Sequence, residues 1–235
     1  MNSVKGIIFD YGGTIDTNGV HWGEVIWEQY RACAVPASKE LFRDAYVFGE
    51  RTLAKNPIIE PEDTFHILLE KKIKIQATRL RNNGCQVTTE QERGIVAGCY
   101  RKVTETLKTT LDIIEKVSKH YPLVLVTNFY GNMPTVLKEF GISRYFPKII
   151  ESSVVGLRKP DPALFALGVK ALNMPAEHIL VIGDSYNKDI YPSRTLGCKA
   201  VWLKNICWAE EAVMPDASPT AIIKSLEELP TLLAL

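Results

Sequence analysis

Long apolar runs are missing from this chain of 235 residues. No uninterrupted stretch approaches the ~18 residues that a membrane-spanning helix needs, so the expectation is a protein in solution with no membrane partner. Charge of one sign is missing too. The 28 Lys and Arg stand against 27 Asp and Glu, for a net charge of +1, and no basic run marks a nucleic-acid footprint or a polybasic membrane patch. Cysteine is sparse: Cys33, Cys85, Cys99, Cys198 and Cys207 are odd in number and scattered, without the paired short spacings of zinc sites. They read as reduced thiols of a cytoplasmic protein. The start has too short an apolar stretch for a signal peptide, so the mature chain is expected to begin near Met1.

What remains is the composition of a packed globular protein, 46% hydrophobic, long enough for one large core or a core with a smaller inserted unit. Short apolar runs recur at 4–9, 123–126, 148–150, 179–182 and 200–203, most of them followed by a helical pattern. Pro134 to Phe140 carries apolar Val136, Leu137 and Phe140 and ends at Gly141, a residue suited to a helix C-terminus. Asp161 reads as an N-cap, Pro162 as a first helical residue, and Leu164, Leu167, Ala171 and Leu172 as the stripe that follows. Strands alternating with helices predict an α/β fold, a doubly wound parallel sheet covered on both faces.

One stretch breaks the rhythm. Residues 18–108 carry helical periodicity and no convincing strand, which predicts an inserted helical unit between core segments 1–17 and 109–235. Trp22, Val25, Ile26, Tyr30 and Cys33 share a helical face, as do Leu41, Phe42, Ala45 and Tyr46, and then Phe65, Leu68 and Leu69. Thr89 with Glu92 is read as a capping box ahead of Ile95, Cys99, Val103 and Leu107. The aromatics of this stretch are assigned to packing.

Four polar features each follow an apolar run. Asp10 ends the first, and ligands of open α/β sheets bind outside the carboxyl ends of the strands. Thr127-Asn128 follow the second, a hydroxyl and an amide able to donate to an anion. Lys159 lies between a strand and a helix start, and Asp184 and Asp189 flank a strand-to-helix turn after 179–182. Paired acids near a third acid call for a cation, and hard oxygen ligands of this kind suit Mg2+.

This ordered set resembles the haloacid dehalogenase superfamily, whose pattern is a strand-end Asp in D-x-D-G-T, then Thr or Ser, then Lys, then a GD…D pair. The resemblance runs from Asp10 to Asp189 and extends to the closing segment from Ser225, and the helical insertion resembles the family's C1-type cap. It implies a Rossmann-like core and a phosphohydrolase acting on a small phosphorylated substrate. In that reading Asp10 attacks the phosphoryl group, and Mg2+ is held by Asp10, the Gly12 carbonyl, Asp184 and Asp189. Lys159 adds a second cation, Thr127 and the backbone NH of Asn128 hold phosphoryl oxygens, and Gly13 lets backbone approach the ligand.

The departure is Gly12, where the family's phosphatases carry the acid that protonates the leaving oxygen. Asp16, His21 and Glu24 are the sequence candidates to replace it. Two other readings stay open. One is a phosphonatase-type enzyme using a cap lysine, Lys39 or Lys55; the other is a phosphate-binding protein without turnover. The substrate and the oligomeric state are not legible.

Overall fold

A computed structural model describes residues 1, 3–209 and 212–235. Strand β1 (Gly6–Phe9) is followed by helices α1 (Trp22–Ala32), α2 (Lys39–Lys55), α3 (Phe65–Asn82) and α4 (Thr89–Ser118) before β2 (Leu123–Thr127). Then come α5 (Met133–Glu139), β3 (Lys148–Glu151), α6 (Ser152–Val155), α7 (Pro162–Leu172), β4 (Ile179–Gly183), α8 (Tyr191–Thr195), β5 (Lys199–Leu203), β6 (Ala221–Ile223) and α9 (Leu229–Leu232). The strands form one six-stranded sheet in the order β3-β2-β1-β4-β5-β6, and every pairing is parallel. This is a Rossmann-like α/β architecture. The chain builds outward from β1 through β2 to β3 and then returns to the other side of β1 at β4, which creates a topological switch point at β1/β4.

Pleating sorts the strand residues between two cores, because successive side chains leave a strand on opposite faces. Ile8, Val124, Val126 and Val181 pack with Leu164 and Phe165 of α7. Ile7, Phe9, Leu123, Leu125, Leu180 and Ile182 belong to the larger cluster that continues into α1–α4. Helix α7 lies close on its side of the sheet: a Cβ built on Gly168 would stand 2.7 Å from Val126 Cγ2 and 2.9 Å from Ile8 Cδ1.

Local caps fix the helix starts. Ser38 Oγ accepts from Leu41 N, Thr64 Oγ1 from Ile67 N, and Asp161 Oδ1 from Ala163 N, each satisfying an amide the helix itself leaves unpaired. The capping box of α4 is Thr88 with Gln91, one residue before the expected Thr89 and Glu92. Thr88 is the last extended residue, so its hydroxyl, not that of Thr89, faces the N3 amide. Strand β6 was not read from the sequence; its three residues, one of them exposed, carry no run long enough to mark it. Helix α4 is continuous through 30 residues, so the expected boundary at 108/109 falls inside a helix. That helix packs against α1 and α3 and also against α9.

Aromatic contacts join α1 to α2, with the Phe42 centroid 5.1 Å from Trp27 and 5.2 Å from Tyr30. Trp208, on the segment after β5, stacks on His21 at 5.3 Å and lies 5.0 Å from Tyr46, and Arg43 donates to its carbonyl at 2.6 Å. The start of α1 and helix α2 are thus tied to the segment after β5. Among the described residues no helix is long and apolar enough to cross a membrane.

The Gly168 contact yields a prediction. Gly168→Val overpacks the seam between α7 and the sheet and should destabilise the protein by about 1–3 kcal/mol, read as a lowered midpoint in urea with an unchanged slope.

Candidate active site

The register of the sheet brings the polar strand ends together. Phe9 is paired with Leu125 on one side and Ile182 on the other, so Asp10 leaves β1 beside the last residues of β2 and β4. Its amide still donates to Ile182 O at 2.9 Å. Two glycines make the close approach. Gly13 has φ +96°, which disfavours any other residue, and a Cβ there would collide with the Asp184 carboxylate. A Cβ on Gly183 would collide with Asp189, which reaches back from a π-helical turn, Tyr186–Ile190.

Lys159 is the hub. Its Nζ donates to Asp10 Oδ1 and to Asp189 Oδ1, both at 2.6 Å, and the ammonium is almost completely buried. Asn128 clamps the lysine's backbone: its Oδ1 accepts from Lys159 N at 2.9 Å and its Nδ2 donates to Lys159 O at 3.2 Å. The side-chain amide expected to donate to an anion is therefore committed to positioning Lys159, at a separation of 31 residues that local pattern does not reveal. Thr127, buried at the end of β2, lines the cavity with Asp10 and Lys159.

Three carboxylates face this one ammonium. Oxygens of Asp10, Asp184 and Asp189 lie within 4.8 Å of one another, and Thr14 Oγ1 donates to Asp10 Oδ2 at 3.2 Å and reaches Asp184 Oδ1 at 3.5 Å. Burial pushes the Asp10 pKa up to about 6, with Asp189 adding to the rise and Lys159 opposing it. Burial raises Asp184 well above the carboxylate range, and the charges of Asp189 and Asp10 raise it further. For Lys159, burial alone would depress the pKa, but Asp10 and Asp189 outweigh it and hold the group cationic. The excess of negative charge, on hard oxygen donors converging on one point, fits a divalent cation such as Mg2+.

Gly12 also borders the cavity. A Cβ there would meet nothing closer than the Trp22 indole at 3.9 Å, so the position has room for a side chain. The candidates for the missing acid separate clearly. Asp16 is buried, accepting from Gly13 N at 2.7 Å and from Trp22 Nε1 at 2.9 Å, so it braces the loop that carries Gly12. Glu24 pairs with Lys39 at 2.9 Å. His21 lines the cavity, and its Nδ1 accepts from Gly23 N at 3.0 Å. That places the proton of the neutral ring on Nε2.

The cavity, of about 120 Å³, is walled on one side by the inserted helices. Trp22, Tyr46, Phe65, Leu68 and Leu69 line it, so aromatics assigned to packing also face the ligand space. Glu50, Lys72 and Tyr130 line it as well and were not singled out in the sequence. A signal was available: Glu50 follows Tyr46 at i+4, and Lys72 follows Phe65, Leu68 and Leu69 at i+7, i+4 and i+3, so each charge continues an apolar helical stripe. Lys55 lines a different cavity.

The family model for haloacid dehalogenase-like hydrolases matches residues 4–195. The phosphoglycolate phosphatase of Vibrio cholerae is 30% identical over 205 residues, 84% of this chain and 83% of that protein. The haloacid dehalogenase-like hydrolase domain-containing protein 3 of Danio rerio is 33% identical over 106 residues, 45% of this chain; the match spans less than half of that relative, 43%. Among solved structures, the HAD-hydrolase YfnB of Bacillus subtilis aligns with a TM-score of 0.60 at 19% identity, covering 99% of both chains.

His21 carries a pH prediction. Burial, then the Lys188 cation, lowers its pKa from 6.5 to about 4. The unfolded chain takes up the proton at about 6.5, so stability is full above that pH and falls as pH drops from 6.5 towards 4. His21→Asn keeps a capping side chain and should remove about 2–3 kcal/mol of the loss between pH 7 and 4.5, measured by urea unfolding at the two pH values.

Proposed function

We propose, from the premise that this chain belongs to the haloacid dehalogenase-like hydrolase family, that it is a Mg2+-dependent phosphohydrolase acting on a small phosphorylated metabolite. The observation that carries the reading is the cluster itself: Asp10, Asp184 and Asp189 around one buried ammonium at the switch point of a parallel sheet. The phosphatase names of the relatives support it, and the fold neighbour YfnB is bound to magnesium.

Asp10 is the nucleophile. Its carboxylate attacks phosphorus, the ester P–O bond breaks, and the resulting aspartyl-phosphate is hydrolysed by water. Lys159 lowers the repulsion between two anions, while Thr127 and the backbone NH of Asn128 orient phosphoryl oxygens. Asp10, Asp184, Asp189 and the Gly12 carbonyl would hold Mg2+, which supplies charge neutralisation. Gly13 admits the phosphoryl group close to the backbone. Gly12 supplies no proton to the leaving oxygen, so esters with good leaving groups are cleaved faster than simple alkyl phosphates. Lys72, the inserted-helix lysine that faces the cavity, is paired with Glu50 at 2.8 Å, which keeps it protonated and unsuited to forming a Schiff base.

The test is phosphate release from acyl, sugar and nucleotide phosphates. Turnover should require Mg2+ and vanish in Asp10→Asn, and Gly12→Asp, for which there is room, should raise kcat on alkyl phosphates by ~10²-fold or more. Absence of any Asp10-dependent turnover across the panel would sink the assignment.

A further inference from the structure

Glu50 on α2 and Lys72 on α3 form an ion pair, with Lys72 Nζ 2.8 Å from Glu50 Oε1. The Tyr130 hydroxyl, just beyond β2, donates to Glu50 Oε2 at 2.7 Å. All three line the cavity that holds Asp10, Asp184 and Lys159. Burying two opposite charges costs desolvation, and apolar residues of similar volume often stabilise a protein as well or better. A pair retained on the wall of a ligand cavity therefore points to recognition, since a few placed polar groups give such cavities their specificity.

The spare bonding capacity defines what is recognised. An ammonium has three donors and a carboxylate about four acceptor positions. Tyr130 and Lys72 together fill only part of Glu50, whose side chain keeps 27% of its surface accessible against 8% for Lys72. Burial would raise the Glu50 pKa, but Lys72 and then Tyr130 more than offset it and hold the carboxyl ionised. Lys72 is thus already balanced and brings no surplus positive charge. An incoming carboxylate could accept from Lys72 only by placing its charge against Glu50. A hydroxyl can accept from Lys72 and donate to Glu50 at once.

Resting on the phosphohydrolase reading, we infer that Glu50 and Lys72 bind hydroxyl groups of the leaving alcohol, which makes the substrate a polyol or sugar phosphate and not a phosphorylated carboxylic acid. Sites that hydrogen-bond a substrate hydroxyl reject analogues lacking it strongly, because their own polar groups are then left unpaired.

The deciding measurement is binding of two non-hydrolysable phosphonates to the Mg2+-loaded wild-type protein by calorimetry: 3,4-dihydroxybutylphosphonate, which mimics glycerol 3-phosphate, and 3-phosphonopropionate, which mimics phosphoglycolate. The dihydroxy compound should bind at least ~10-fold more tightly. Equal binding, tighter binding of the carboxylate, or binding of neither overturns the inference. Glu50→Gln should narrow the preference to within ~3-fold, and the double variant Glu50→Gln/Lys72→Gln, which leaves no lone buried charge, should do the same; an unchanged preference in a folded variant contradicts the assignment to this pair. Because binding needs no turnover, selective binding without hydrolysis of any ester would leave the hydroxyl-binding role of Glu50 and Lys72 standing and remove the phosphohydrolase reading.

Discussion

Mutual repulsion among three carboxylates is the constraint on which the site depends. The parallel sheet delivers Asp10 and Asp184 from neighbouring strands β1 and β4, and the π-helical turn returns Asp189 to the same point. One buried ammonium, Lys159, answers two of the three at 2.6 Å. Lone buried charges cost several kcal/mol, so the lysine must be held in register with the strand ends, and Asn128 does this through both atoms of its amide. The charge left over, on hard oxygen donors, fits a divalent cation.

The same constraint explains the glycines. Carboxylates brought this close leave no space for a Cβ at Gly13 or Gly183, whereas at Gly12 there is space and no side chain to use it. The loop carrying Gly12 is nonetheless fixed, because Asp16 accepts from Gly13 N and from Trp22 Nε1. The carboxylate cluster and an acid at position 12 are therefore separable in this chain: the cluster is assembled around Lys159, and Gly12 offers no side chain.

Asp10, Thr127 and Asp184 are legible because each lies at the end of an apolar run and a parallel sheet aligns such ends, whereas Lys159 and Asp189 come from the connections after β3 and β4, the first held by Asn128 and the second by the π-helical turn. Asn128 was legible by position but not by task, since its partner is a backbone segment across 31 residues. Glu50, Lys72 and Tyr130 meet only through the packing of α2 on α3 and of both on the segment after β2, a tertiary arrangement that periodicity within one helix does not specify. The start of α4 shifted by one residue because Thr88 and Thr89 are equivalent in composition and differ only in which is extended. Strand β6 was missed because its short run needs β5 beside it to be a strand at all.

The proposed chemistry turns on a covalent bond from the Asp10 carboxylate to phosphorus. The direct measurement is acid quench of the Mg2+-loaded protein during turnover of acetyl phosphate, followed by borohydride reduction and peptide mass spectrometry. An aspartyl-phosphate is reduced to homoserine, so homoserine is expected at position 10 in the wild type and none in Asp10→Asn. Phosphate release with position 10 still aspartate throughout, or homoserine at another position, would contradict it.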